Sequence, residues 1–415
     1  MKWLPFVAAV LLTACAGTAA VEVTDPIPTE EPTVEETPAG ETTSPTEDTQ
    51  ESTEADPDNT LSPGVARATS SWGTDWSQTT IDLSELISGG PPRDGIPSID
   101  DPQYESIEEA SEWLVDNDPV ISVELNGEAR AYPLSILTRH EIANDELGGV
   151  PIAVTFCPLC NSALVFDARV DPDAEPYDFG VSGLLRNSDL VMYDRTTESL
   201  WQQFTGEGIV GEHAGDQLVI VPSGLVGFAQ FSEAHPQGTV LSRDTGIYSP
   251  AAYGTNPYAF YDSVEDSRPF LFNGEIDERL PALSRVVGVV IEDQAVAYPY
   301  SLLEEVGAVN DMVNSQPVVI FHRFGANTAL GDSVIAEAED VGATGVFNPE
   351  VDGEVLTFTV EGEDIIDEQT GSTWNVLGQA TAGELEGTQL ERLPSTDHFW
   401  FSWAAFFPET TIYAE

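Results

Sequence analysis

Alternation of apolar and polar positions marks much of the chain as strand. Residues 120–125, Val120-Ile121-Ser122-Val123-Glu124-Leu125, fall into an every-other-residue pattern. Asn126-Gly127 follows, the pair that suits a tight hairpin because both turn residues need positive φ. Residues 128–132 then return as the partner strand. The same reading places strands at 151–156, 163–170, 177–181, 189–194, 199–204 and 217–221. Helical spacing is confined to short stretches. One spans 107–115 behind Ser106 as N-cap, one spans 133–147 up to Gly148-Gly149, and one spans 226–234. The pattern predicts a mainly β fold with short helices, of the α+β kind.

The pattern also repeats. Ala131-Tyr132-Pro133-Leu134-Ser135 returns as Ala297-Tyr298-Pro299-Tyr300-Ser301, and the match runs ungapped from Val120 and Val286 to Leu164 and Leu330. Asp194, Ser199 and Trp201 are matched further on by Asp367, Ser372 and Trp374. We therefore expect two tandem homologous modules related by a pseudo-twofold internal repeat, at 72–240 and 286–415. Residues 241–285, rich in Tyr, Pro and Gly, form the connector. Positions kept in both copies read as scaffold. Trp201 and Trp374 read as core aromatics, Asn144-Asp145 and Asn310-Asp311 as caps or turn formers, and Asp194 and Asp367 as turn-fixing acids.

The N-terminus follows other rules. Lys2 and the apolar run 3–12 form a signal peptide ending at residue 14. Leu12-Thr13-Ala14-Cys15 resembles a lipobox, so Cys15 is expected to carry lipid and to tie the protein to the membrane. Residues 15–71, dominated early by Thr, Glu, Pro and Ser, read as a disordered tether. The mature chain is then expected outside the cytoplasmic membrane, in the periplasm or at the cell surface. Its 72 acidic side chains stand against 14 Lys and Arg, which excludes nucleic-acid backbones as partners.

Candidate chemistry sits where the two copies differ. Cys157 and Cys160, in Cys157-Pro158-Leu159-Cys160, face Arg323 and Ala326 in the second copy. His140 faces Val306, Glu141 faces Gly307, and Arg195 faces Glu368. Two cysteines in this spacing aim two sulfurs at one point, as half of a zinc knuckle does. The histidine lies on the element just before them. The spacing predicts a metal site of Cys157, Cys160 and His140, with Glu141 or water as fourth ligand and zinc or copper as the ion. Residues 184–188, with no counterpart in the second copy, are expected as a site wall through Arg186, Asn187 and Ser188, with Arg195 nearby.

These motifs together resemble a family. They are His140-Glu141-Ile142-Ala143-Asn144-Asp145, Thr155-Phe156-Cys157-Pro158-Leu159-Cys160, Phe179-Gly180-Val181-Ser182-Gly183 and Tyr193-Asp194-Arg195. Gly371-Ser372-Thr373-Trp374-Asn375 and Phe399-Trp400-Phe401-Ser402-Trp403 belong to the same set. The chain resembles the bacterial and archaeal family called domain of unknown function 3179 over about Gly89 to Tyr413. The resemblance implies a shared fold unit and carries no activity. Whether the protein is an enzyme stays open. Two other readings stand beside metal binding: a thiol-disulfide redox protein, and a non-catalytic surface binding protein stapled by a Cys157–Cys160 disulfide. The redox reading is weakened by the strand pattern after Cys160 and by the lack of a basic neighbour to stabilise a thiolate.

Overall fold

Residues 59–263 and 268–414 are described in a computed structural model. The turn at Asn126-Gly127 forms as its residues dictate, with φ of 52° and 82°. It joins Pro119–Leu125 to Glu128–Pro133 as an antiparallel pair. The described residues make seven sheets and a few α-helices of at most seven residues, so the fold is mainly β.

Three sheets occupy the region before residue 242. The first contains Pro119–Leu125 and Glu128–Pro133. The second places Val150–Cys157 between Ile142–Leu147 and Ser162–Asp167. The third is built on the hairpin of Phe179–Arg186 and Asp189–Asp194. Beyond residue 284, Arg285–Ile291 pairs with Gln294–Pro299, Ala308–Val313 pairs with Gln316–Arg323, and Phe358–Glu361 pairs with Asp364–Asp367. The largest core cluster draws on both regions. It joins Phe156, Phe166 and Trp201 to Phe399, Trp400 and Trp403, and both cysteines lie in it.

Two expectations need correction. The helix predicted over 133–147 stops early, spanning only Leu134–His140. Glu141 then takes the left-handed conformation, φ 59° and ψ −28°, and the chain leaves as the strand Ile142–Leu147. Asn144 and Asp145 are therefore strand residues, neither caps nor turn formers. The Asn144 amide bonds both the N–H and the C=O of Phe179 at 2.9 Å, which ties two sheets together. Asp145 accepts from Tyr132 Oη at 2.6 Å and from Arg130 at 2.7 Å. Asn310 holds Phe358 in the same way, and Asp311 accepts from Tyr298.

The tether was expected to run to residue 71, yet residues 59–71 belong to the fold. Ser62 caps a short helix, Pro63–Ala68, with proline in its first turn. Val65 from that helix is buried with Leu83, Leu86 and Val191, which gives the segment apolar contacts to offset its ordering. The signal peptide, Cys15 and the rest of the tether lie outside the described residues.

Asp194 does fix a turn, and Trp201 is fully buried. The Asp194 carboxylate accepts from the backbone N–H of Thr196 and Thr197, from Thr197 Oγ1, and from Trp201 Nε1. Asp194→Ala leaves the buried Trp201 Nε1 unpaired and releases the part-buried donors of Thr196 and Thr197. It should lower the unfolding free energy by about 2–4 kcal/mol in urea titration. Arg195→Ala, at a partly exposed ion pair, should cost less than about 1 kcal/mol.

Candidate functional site

Cys157 closes the strand Val150–Cys157 and pairs in register with Ser162, the first residue of the next strand. Residues 158–161 are thus a four-residue hairpin loop. Cys160 N donates to Cys157 O at 3.3 Å, and Asn161 completes the turn at φ 52°. The loop folds the second sulfur back toward the first. Both cysteines are buried and neither is in a disulfide.

A third group arrives from another hairpin. Asn187 and Ser188, at φ 53° and 67°, turn the chain between Phe179–Arg186 and Asp189–Asp194. That turn delivers Asp189, which is fully buried, to the sulfurs. Ligand atoms of Cys157, Cys160 and Asp189 all lie within 4.8 Å of one another. Asp189 Oδ2 accepts from Gln202 Nε2 at 2.7 Å and from Phe204 N at 3.0 Å. Asp189 Oδ1 has no protein partner. The same holds for both amide atoms of Asn161, Ser162 Oγ, Gln202 Oε1 and Gln203 Oε1. Buried polar atoms without partners are few in native proteins. Six of the thirteen such atoms among the described residues belong to Asp189, to Asn161 and Ser162 after the cysteines, and to Gln202 and Gln203; the other seven lie on other residues.

Burial sets the electrostatics. Burial raises the Asp189 carboxyl to about 7, opposed first by the hydrogen bond from Gln202. It raises both thiols as well, Cys160 well above its ordinary value. The protein alone therefore holds both thiols protonated near pH 7, where the Asp189 carboxyl is about half protonated. A cation entering such a centre would displace their protons.

The predicted site residues divide. His140 is buried, but its Nδ1 meets Pro97 O and its Nε2 meets Tyr253 Oη, each at 2.7 Å. It lies outside the ligand group, so the His140 ligand is a correction. Its ring ends a short helix and is captured by the tyrosines of residues 248–253. Glu141 is also outside the ligand group. Its carboxyl is buried, accepts from Tyr258 Oη at 3.1 Å, and is pushed up to about 7 by burial, with Asp189 adding to the rise. Arg195 binds Asp94, Tyr193 and Ser98, and so serves the loop at 94–98 and not the sulfurs. Arg186 pairs with Glu85. Asn187 supplies half the turn. Ser188 does reach the site: its carbonyl accepts from Cys157 Sγ at 3.9 Å, and its hydroxyl donates to Phe270 O.

Asp189 was missed because it reads as the first residue of an ordinary strand. The available signal was its place directly after the 184–188 insertion. Phe179 pairs with Asp194 across 15 positions, whereas Phe358 pairs with Asp367 across 9. The longer hairpin is what carries an acid to the cysteines.

Residues 93–410 match the family described as Protein of unknown function (DUF3179), and the chain belongs to that family. No curated protein and no solved structure matches it.

The raised Glu141 carboxyl gives a pH signature. Folded, it holds its proton up to about 7; its ordinary value is 4.5. Between those limits the native state binds more protons, so stability falls as pH rises through the window. In chelator-treated protein, raising pH from about 4.5 to 7.5 should destabilise wild type relative to Glu141→Gln by on the order of 1–3 kcal/mol. Urea midpoints measured across that range check the slope.

Proposed function

We propose that the chain is a metal-binding protein whose centre is Cys157, Cys160 and Asp189, with zinc or cuprous copper as the ion. The carrying observation is the convergence of two sulfurs and a carboxylate oxygen within 4.8 Å, in full burial. The partnerless Asp189 Oδ1 supports it. Two thiolates and a carboxylate cannot stay charged together without water unless a cation compensates them. Thiolates suit both ions, and an added oxygen suits zinc. The ion would be held by the two sulfurs and Asp189, with Gln202 and the Phe204 N–H orienting the carboxylate. The redox reading is less well supported, because burial raises both thiols and weakens them as nucleophiles.

The wider reading has two parts. The first is lipid anchoring at Cys15 outside the cytoplasmic membrane, carried by Leu12-Thr13-Ala14-Cys15. No described helix is long and apolar enough to cross a membrane. The second is descent from two tandem copies of one module. Matching hydrogen bonds support it: Trp201 donates to Asp194, and Trp374 donates to Asp367. An experimental structure in which Trp201 and Trp374 fail to superpose when residues 120–164 are laid on 286–330 would remove the second part.

Protein purified without oxygen should contain about one zinc or copper ion per chain by elemental analysis. Cys157→Ser and Asp189→Asn should each lower that content about tenfold or more. His140→Gln should leave it unchanged. Metal-free protein with two freely titrating thiols would overturn the reading. Cys15→Ser should shift the protein from the membrane to the soluble fraction; normal processing and membrane recovery of this variant would refute anchoring.

A further inference from the structure

A cavity of about 400 Å³ lies beside the cysteine loop, with Leu159 of that loop in its wall. That volume falls within the range of small-molecule pockets. Leu184, Leu185 and Leu190 line it, together with Tyr258, Ala259, Tyr261 and Phe270 of the connector. Among the described residues, Glu141 is the one charged side chain lining it.

Glu141 is unusual in two independent ways. Its backbone is left-handed, φ 59°, a state that costs a non-glycine residue roughly 1 kcal/mol. The helix Tyr300–Val306 ends in the same conformation with Gly307, φ 69°, where no such cost arises. Thirteen non-glycine residues have positive φ among the described residues, and Glu141 is the one of them that places a buried acid in the wall of this cavity. The residue is also buried, at 7 % exposure, and its carboxyl has no basic partner among the described residues; Tyr258 Oη is what it binds. A carboxyl removed from water is neutralised by a proton or by a positive counter-charge.

We propose that this cavity binds a small organic monocation with an apolar body, its amine or quaternary ammonium head set against Glu141. The leucines accept the body, and Tyr258, Tyr261 and Phe270 supply aromatic surface of the kind that attracts such heads. The formal charge of −58 draws cations and repels anions. This cavity adjoins the proposed metal centre and shares the cysteine loop with it, but the proposed ligand does not require an ion there.

Calorimetric titration of the full chain tests the assignment with three probes of similar shape: phenethylamine, 2-phenylethanol and 3-phenylpropionate. Phenethylamine should bind about tenfold or more tightly than the alcohol, and the carboxylate should not bind. Glu141→Gln keeps the side-chain shape and an acceptor for Tyr258, and should erase the amine's advantage. Ala259→Trp, which fills the cavity, should abolish amine binding while the thermal melt stays cooperative. The amine preference should persist in Cys157→Ser, so loss of metal and loss of ligand can be told apart. Equal binding of amine and alcohol, no binding of any probe, or full amine affinity in Glu141→Gln would each overturn the proposal.

Discussion

A carboxyl group shut away from water governs the arrangement around the cysteines. Asp189 is fully buried, and an unpaired charge there would cost several kcal/mol. Only protonation or a nearby cation resolves this. The surrounding groups hold the carboxyl in place without neutralising it. Gln202 and the Phe204 N–H grip one oxygen, while the other oxygen is free of protein partners. The sulfurs share the constraint, since burial opposes their ionisation too. Three weak acids are therefore held together where burial opposes the ionisation of each.

Distant sequence keeps that centre rigid. The Cys160 carbonyl accepts from Phe399 N at 2.9 Å, so the cysteine loop is pinned by the strand Ser395–Phe399. Behind it, Phe204 stacks on His398 and on Phe406, and His398 stacks on Trp403. The connector adds a further hold, with Tyr261 Oη donating to Leu159 O inside the loop. Under the proposed duplication, the second module has become scaffold for a centre that the first one keeps.

What the sequence disclosed follows from how local each signal is. Asn126-Gly127 fixes a hairpin through its own dihedral needs, and Cys157-Pro158-Leu159-Cys160 fixes two sulfurs through one loop. Both are legible in a few residues. The Ser106 cap is equally local, and Glu109 completes it as a capping box. Asp189 is 29 positions beyond Cys160, and its arrival depends on hairpin length and on how two sheets pack. No window of sequence contains that information. His140 misled for the converse reason. It is near Cys157 in sequence, but the left-handed turn at Glu141 intervenes and the tyrosines of the connector claim its ring. Asn144 misled because turn-forming residues also bridge strands when an amide can imitate a peptide group, as this one does with Phe179.

The differences between the two halves then fit one physical account. Where Gly307 ends a helix without strain, Glu141 ends the matching helix with it. Where the Phe358–Asp367 hairpin is short, the Phe179–Asp194 hairpin extends far enough to carry Asp189. Where Ala326 buries a methyl group, Cys160 buries a thiol. At the first two of these positions the first half adopts the arrangement less favourable to stability, a strained non-glycine residue and a buried carboxyl. The unfavourable choices fall together, at the cysteine loop and at the cavity beside it. Stability alone gives no reason for such clustering, because each change could have been relieved by itself. Chemical use at two adjoining sites does give one: the thiols and the buried acid serve the proposed metal centre, and the strained glutamate serves the cavity beside it.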